Sequence, residues 1–334
     1  MKNVLVIGGS GFLGSRLATA LKQRKVAVHV YDLKPHPDAQ INSIPGDIGD
    51  RPKLLDAVAQ MDTVFQTASL IDWGPDSRER LMQVNFRGNN NIIAACQNQG
   101  VRRLIYTSSI DVVFDGHPIR NGNESLPYPN RHMDDYSYTK MLAEQAVIAA
   151  NGVNGLATCS LRSAGIFGPG DPYRLPGVIA SIKSGRMINI GDGKSKFGHV
   201  YVDNLVHAHI LAGEKLETGS PLAGQCYFIN DGNPTNFFNF FIAFINRLGY
   251  TPTITRVPAW LAYAIAASME TIAKLDNAKR PPFLTRYIVR STSEDFYFSH
   301  AKATRDFGYA PIVPFEQALS ETVEWLKQAG YSPA

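Results

Sequence analysis

Val4-Leu5-Val6-Ile7-Gly8-Gly9-Ser10-Gly11-Phe12-Leu13-Gly14 opens the chain with a short apolar run and a glycine-rich turn. From Ser15 to Arg24 apolar residues then recur at helical spacing. The order is strand, tight turn, helix. Gly8 and Gly11 let the backbone turn sharply and come close to a pyrophosphate, and Gly14 allows close helix packing. The first amides of the helix meet the phosphate charge. Gly8, Gly11, Phe12, Leu13 and Gly14 are therefore the candidate cofactor-binding turn. A flexible loop is the bland alternative, and the flanking strand and helix argue against it. A second strand, Val26 to Tyr31, ends in Asp32, 18 residues past Gly14, where an acidic side chain meets the adenosine ribose. A carboxylate there accepts hydrogen bonds from both ribose hydroxyls and repels a 2′-phosphate, which favours NAD over NADP. Lys34, a nearby cation, leaves NADP open.

Working outward, short β-branched runs alternate with amphipathic stretches. Thr63 to Thr67, Arg103 to Thr107 and Leu156 to Arg162 read as further strands, and Arg51 to Ala59, Ser77 to Gln99 and Asp135 to Asn151 as helices. This alternation predicts an α/β fold with a doubly wound parallel sheet of Rossmann type, with ligands at the carboxyl ends of the strands. Beyond Gly168-Pro169-Gly170-Asp171 the rhythm breaks into pieces punctuated by proline and glycine. The expected division is a dinucleotide-binding domain over 1–167, to which 198–230 returns, and a smaller substrate-binding lobe from 168–197 and 231–334.

Bulk properties exclude several classes. A length of 334 residues allows one large domain plus a smaller one, and a net charge of +4 without long runs leaves no nucleic-acid footprint. Cys96, Cys159 and Cys226 lie far apart without metal-type spacing and read as buried structural thiols in a reducing, cytoplasmic compartment. The first strand starts at residue 3 or 4, so no signal peptide is expected ahead of it. Val257 to Met269 is uncharged but too short to span a bilayer, which needs about 20 residues. It reads as a buried or substrate-covering helix. The alternative is peripheral membrane contact through 257–275, with Lys274, Lys279 and Arg280 meeting anionic headgroups. Phe237-Phe238-Asn239-Phe240-Phe241 reads as core.

The chemistry is carried by Tyr136-Ser137-Tyr138-Thr139-Lys140, 27 positions after Ser109 of Tyr106-Thr107-Ser108-Ser109. Four residues apart on a helix, Tyr136 and Lys140 share one face. A phenol with a pKa of about 10 is a poor base at neutral pH. The Lys140 ammonium, together with an oxidised nicotinamide, is expected to lower it inside a dry cleft. A serine hydroxyl at the end of the preceding strand hydrogen-bonds the substrate oxygen. Spacing alone leaves Ser108 and Ser109 as alternatives for that role, while Tyr138, with Leu142 four positions on, reads as packing. The expected reaction is reversible hydride transfer with Tyr136 moving the proton.

These motifs, with Gly46-Asp47-Ile48, Val84-Asn85-Phe86-Arg87-Gly88 and Leu161-Arg162, resemble the extended short-chain dehydrogenase/reductase family over nearly the whole chain. The resemblance implies Ser109 as the catalytic serine beside Tyr136 and Lys140. It places Asp47 and Ile48 at the adenine, Ala68 beside the cofactor and Asn85 in support of the site, and has Lys140 bind the nicotinamide ribose. Within that family, Tyr106 to Val113, Tyr201 to His209, Pro281 to Arg286 and Ala301 to Pro311 are similar to the 3β-hydroxysteroid dehydrogenase branch. That branch implies a secondary alcohol or ketone on a large apolar substrate, a 3β-hydroxysteroid or a long-chain 3-oxo acid, and a homodimer. Ile7 stands where a threonine is common before the glycines, and Ser163 where proline usually follows Arg162.

Two other readings are open. A nucleotide-sugar epimerase or dehydratase uses the same hydride machinery, and Arg174, Lys183 and Arg186 would line its diphosphate site. The aromatic and aliphatic loading of the last hundred residues opposes it. A regulator that senses NAD without turnover has less need of the intact Tyr136 and Lys140.

Overall fold

The computed structural model describes residues 1–72, 77–183, 186–275 and 282–333, the side chains of 183 and 186 excepted. Its centre is β1 (Asn3–Ile7), followed by helix α1 (Phe12–Gln23), β2 (Ala27–Asp32), β3 (Asn42–Pro45), β4 (Thr63–Gln66) and β5 (Arg103–Ser109). With strands Ala157–Ser163 and Gln225–Ile229 these form one seven-stranded sheet. Its order from one edge is Gln225–Ile229, Ala157–Ser163, β5, β4, β1, β2, β3. Every pairing is parallel. The doubly wound α/β architecture expected from the alternation is thus present. The chain runs from β1 to β2 on one side and returns to β4 on the other, so the strand order reverses at the carboxyl end of β1. Open α/β sheets bind ligands at such a crevice.

Parallel sheets are covered on both faces, so their strands read as continuous apolar runs. Val4, Leu5, Val6 and Ile7 are all fully buried. Val4 and Val6 pack with Leu13, Leu17 and Leu205 on one face, whereas Leu5 and Ile7 pack with Leu54, Ile92 and Ala143 on the other. β3 has no counterpart among the expected strands. Asn42–Pro45 is a four-residue, partly exposed edge strand ending in proline, and an edge position tolerates polar residues and a missing donor.

The expected helix from Ser77 to Gln99 forms in three pieces: an α-turn at Ser77–Leu81, a π-helix at Met82–Gly88 and an α-helix at Asn89–Asn98. The wide turn carries the buried Asn85. Such bulges are often found at functional sites.

The core on the Val4 face continues without a break into the C-terminal helices. Of the phenylalanines expected in the core, Phe238, Phe240 and Phe241 of helix Phe237–Leu248 are buried and Phe237 is half-buried, and Phe244 joins the buried set. Phe167 packs edge-on against Phe240 at 4.9 Å. Helix Ala259–Leu275 corrects an expectation. It is neither buried nor a cover over the cavity: only Ala262, Ala266 and Ala273 are buried, and Trp260 is 72% exposed. Its small residues face inward because they fit a close helix contact, and its large apolar residues face out. Cys96 and Cys159 are buried and Cys226 is half-buried. Lys279, Arg280 and Pro281 lie outside the described residues, and among the described residues no helix is long and apolar enough to cross a membrane.

Candidate active site

A cavity of about 890 Å³ opens at the reversal point and extends from the glycine turn to Phe237, Tyr287 and Thr292 of the C-terminal part of the chain. One end is built from backbone. The Gly8 amide donates to the Tyr31 carbonyl at 2.9 Å, and the Gly11 amide to the Gly8 carbonyl at 3.1 Å. Gly8 has φ +78°, and a Cβ there would sit 2.5 Å from the Ala68 nitrogen. At Gly14 a Cβ would lie 2.1 Å from the Gly8 carbonyl oxygen, so both positions require glycine. Gly11 caps α1 with no side-chain hydrogen bond, which leaves the first helical amides for an anion.

The Asp32 carboxylate accepts from the Ser10 amide at 3.0 Å through Oδ2, and Oδ1 has no protein partner among the described residues. Phe12, Leu13, Asp32, Lys34, Asp47, Ile48 and Ala68 all line this end. The main-chain carbonyl of Asp47 accepts from the Tyr31 hydroxyl at 2.8 Å. A cradle that Cβ atoms would fill, uncapped amides and a free carboxylate oxygen fit a dinucleotide's pyrophosphate and ribose.

Asn85 does not line the cavity. Its Oδ1 accepts from the Leu70 amide at 2.8 Å, and its Nδ2 donates to the Leu70 carbonyl at 2.9 Å and to Thr139 Oγ1 at 3.2 Å. It ties the loop after β4 to the helix that carries Tyr136, and acts by positioning both.

That helix, Asp135–Ala149, is capped by Asp134, whose carboxylate accepts from the Ser137 amide at 2.7 Å. Tyr136 and Lys140 project from it into the cavity beside Ser109, the last residue of β5. Ser108 is also buried.

Two features depart from expectation. Ser109 Oγ donates to the half-buried Asp111 carboxylate at 2.6 Å, and Asp111 also accepts from the Tyr287 hydroxyl at 2.6 Å. Asp111 therefore competes with any substrate oxygen for the Ser109 proton.

The second departure concerns the phenol. Burial, then the charges of Asp111 and Asp134, push the Tyr136 pKa up, while hydrogen bonding to Ser69 and Ser109 pulls the other way. Lys140 is pushed down to about 7 by burial, with Glu144 and Asp111 opposing. Its ammonium donates to the Thr107 carbonyl at 2.6 Å and lies 4.3 Å over the Tyr106 ring. Without the oxidised nicotinamide, burial and the charges of Asp111 and Asp134 therefore keep the Tyr136 phenol protonated. Burial likewise raises Asp111, and lifts Asp134 to about 7.

Sequence reasoning missed Asp111 and Tyr287 as site residues. Asp111 stands two positions from Ser109, a visible signal. Tyr287 comes from helix Arg286–Ser293, and only tertiary packing brings it here. Of the three cations named for a diphosphate, Arg174 lines the cavity, while the side chains of Lys183 and Arg186 lie outside the described residues.

Fold and site together define a short-chain dehydrogenase/reductase. Residues 5–258 match the model of the 3-beta hydroxysteroid dehydrogenase/isomerase family, and the chain belongs to that family. It is 42% identical to short-chain dehydrogenase/reductase family 42E member 1 of Homo sapiens, over 99% of this chain and 88% of that protein. A 3-beta-hydroxysteroid dehydrogenase of Mycolicibacterium neoaurum is 37% identical, over 96% of this chain and 90% of that one. The structure of MoeE5 in complex with UDP-glucuronic acid and NAD superposes with a TM-score of 0.76 at 22% identity, covering 98% and 99% of the two chains. At that identity the likeness shows the fold.

Proposed function

We propose that this protein interconverts a secondary alcohol and a ketone on a large apolar substrate, of 3β-hydroxysteroid or long-chain 3-oxo acid type, with NAD as redox partner. The observation that carries the reading is one cavity shared by the glycine cradle, Asp32 and the Ser109, Tyr136 and Lys140 set. Gly8, Gly11 and the start of α1 hold the pyrophosphate, Asp32 the adenosine ribose, and Lys140 the nicotinamide ribose. When bound, the oxidised nicotinamide accepts hydride and adds a positive charge to the site. The protein's own residues move the proton. In the reducing direction Tyr136, held neutral by its surroundings, donates from its hydroxyl to the substrate oxygen. In the oxidising direction the same oxygen takes the alcohol proton, and Lys140 stabilises the phenolate. Ser109 holds the substrate oxygen once its proton is released from Asp111.

NAD is supported by the Asp32 oxygen left free toward the ribose. An apolar substrate is supported by the lobe wall, where Phe197, Phe237, Tyr287 and Ile288 face the cavity. The test supplies NAD and a panel of 3β-hydroxysteroids and long-chain 3-hydroxy acids, and follows absorbance of the reduced cofactor. Turnover lost in Tyr136→Phe is expected; no turnover, or equal rates in both proteins, would sink the reading. Tight calorimetric binding of UDP-glucose would favour the epimerase or dehydratase alternative instead.

Leu261, Ile265, Ile272 and Leu275 recur at helical spacing on the exposed side of helix Ala259–Leu275. This stripe supports peripheral membrane contact through 257–275. Flotation with anionic vesicles checks it, and Ile265→Glu with Ile272→Glu should leave the protein at the bottom of the gradient.

A further inference from the structure

The lobe side of the cavity holds a cation that hydride transfer does not require. Arg174 begins helix Arg174–Lys183, fixed in place by Asp171, whose carboxylate accepts from the amides of Tyr173, Arg174 and Leu175 at 2.9, 3.0 and 3.1 Å. With those bonds made, Asp171 is committed to backbone. The guanidinium lies against Gly165, where a Cβ would meet Nη1 at 2.5 Å. Its polar contacts among the described residues are long: the Ile166 carbonyl at 3.5 Å and His199 Nδ1 at 3.4 Å. His199 offers no charge in return. It is buried, kept neutral by burial and by Arg174 itself, and stacked on Phe240 at 3.6 Å. The remaining surroundings are rings. The guanidinium carbon is 5.4, 5.7 and 5.3 Å from the centroids of Phe197, Phe237 and Phe241.

Arg162 shows how this fold treats a structural arginine. Its guanidinium is bound twice by Glu144, at 3.0 Å from Nε and 2.8 Å from Nη2. Arg174 is half-buried, and a partly desolvated charge with no carboxylate in contact is costly. Asp171 and Asp111 favour the Arg174 charge from a distance, but its near neighbours are aromatic faces, and among the described residues no carboxylate is in contact with it. What it does have is an open side toward the cavity it lines together with Ser109, Asp111 and Tyr287.

We propose that Arg174 is a specificity-determining residue that pairs with a carboxylate carried by the substrate, so that the cavity selects an apolar secondary alcohol or ketone bearing an acid group. The planar guanidinium matches a carboxylate with two parallel hydrogen bonds, and the surrounding rings exclude the water that would weaken them. Arg174 shares its wall with the residues around Ser109. The acid group therefore sits near the reacting carbon, as in a 3-hydroxy acid, while the hydrocarbon runs along the aromatic surface. The cofactor's phosphates are not the partner, because amides of the glycine turn already form their cradle at the other end. This inference rests on the oxidoreductase reading and narrows its substrate class.

The test is a binding measurement that needs no turnover. Calorimetry in the presence of NAD compares 3-hydroxytetradecanoate with its methyl ester, which has the same shape without the charge. Wild type should bind the acid about 10- to 100-fold more tightly than the ester. Arg174→Leu should bring that ratio close to one, and Arg174→Lys, which keeps the charge but not the fork, should leave it between the two. NAD affinity, measured on each variant, reports that the site is still folded. Equal binding of acid and ester by wild type, or no binding of either, would overturn the assignment. So would an acid preference that survives in Arg174→Leu, or a loss confined to NAD affinity. Turnover of the acid, followed separately, reports on the oxidoreductase reading alone. Acid-selective binding that depends on Arg174 supports this inference whether or not turnover follows.

Discussion

The two ends of the cavity are built in different ways. At the nucleotide end, function is written in backbone: Gly8, Gly11 and Gly14 act by lacking side chains, and Asp32 stands one strand away. At the reacting end, function is written in side chains drawn from distant parts of the chain. Ser109 ends β5 and Asp111 follows it, Tyr136 and Lys140 come from one helix, Arg174 from another, and Tyr287 from helix Arg286–Ser293. The first end is a local device that any sequence window reveals. The second exists only after these distant segments have packed together, and its charges are set by burial that no window contains. The difference teaches where each end can be broken: the nucleotide end by adding atoms, the reacting end by changing protonation.

The largest effect should come from the reacting end. Tyr136→Phe removes the proton donor and should lower kcat/KM about 10²- to 10⁴-fold, while NAD affinity, measured by fluorescence titration, stays near wild type. A variant that lost both together would erase the distinction between the two ends. Gly14→Val is the counterpart at the nucleotide end. A Cβ 2.1 Å from the Gly8 carbonyl oxygen cannot be accommodated without moving the turn. NAD binding should fall below detection, and urea unfolding should show a loss of about 1–3 kcal/mol.

Asp111→Asn sharpens the comparison through pH. The Asp111 charge raises the Tyr136 pKa, so its removal lets the phenol ionise at lower pH. Alcohol oxidation needs the ionised phenol, and its rising limb should therefore move to lower pH in the variant. The rate itself should drop about 10- to 100-fold as Tyr287 and Ser109 lose their shared acceptor. An unmoved limb in the pH–rate profile would mean that Asp111 only packs. The smallest effect is expected at the nucleotide end: Asp32→Ser should narrow the preference for NAD over NADP about tenfold in kcat/KM by removing the charge that repels a 2′-phosphate. An unchanged preference would mean that the Asp32 charge does not set the discrimination.

The sheet was largely legible in the sequence because parallel, two-faced burial leaves uninterrupted apolar runs. Val4 to Ile7, Thr63 to Gln66 and Arg103 to Ser109 stand close to their expected bounds for that reason. Asn42–Pro45 was not, since an edge strand carries little apolar signal. The π-turn at Met82–Gly88 was hidden because it is imposed from outside, by hydrogen bonds that Asn85 makes to Leu70 and Thr139. Tyr136, Lys140 and Ser109 were readable as residue types at fixed spacing. The behaviour of Tyr136 was not, because the carboxylates that oppose its ionisation and its burial are products of folding. Helix Ala259–Leu275 was misread for a related reason: composition shows that a helix is apolar, and only packing shows which side of it is covered.

The most direct test of the central claim follows the hydrogen itself. Wild-type protein is incubated with NAD and an alcohol substrate of the class proposed, deuterated at the carbinol carbon, and the reduced dinucleotide is isolated and weighed by mass spectrometry. Direct hydride transfer predicts one deuterium per reduced nicotinamide, with none formed by Tyr136→Phe. Reduced cofactor without deuterium, or ketone formed with the label released to water, would contradict it.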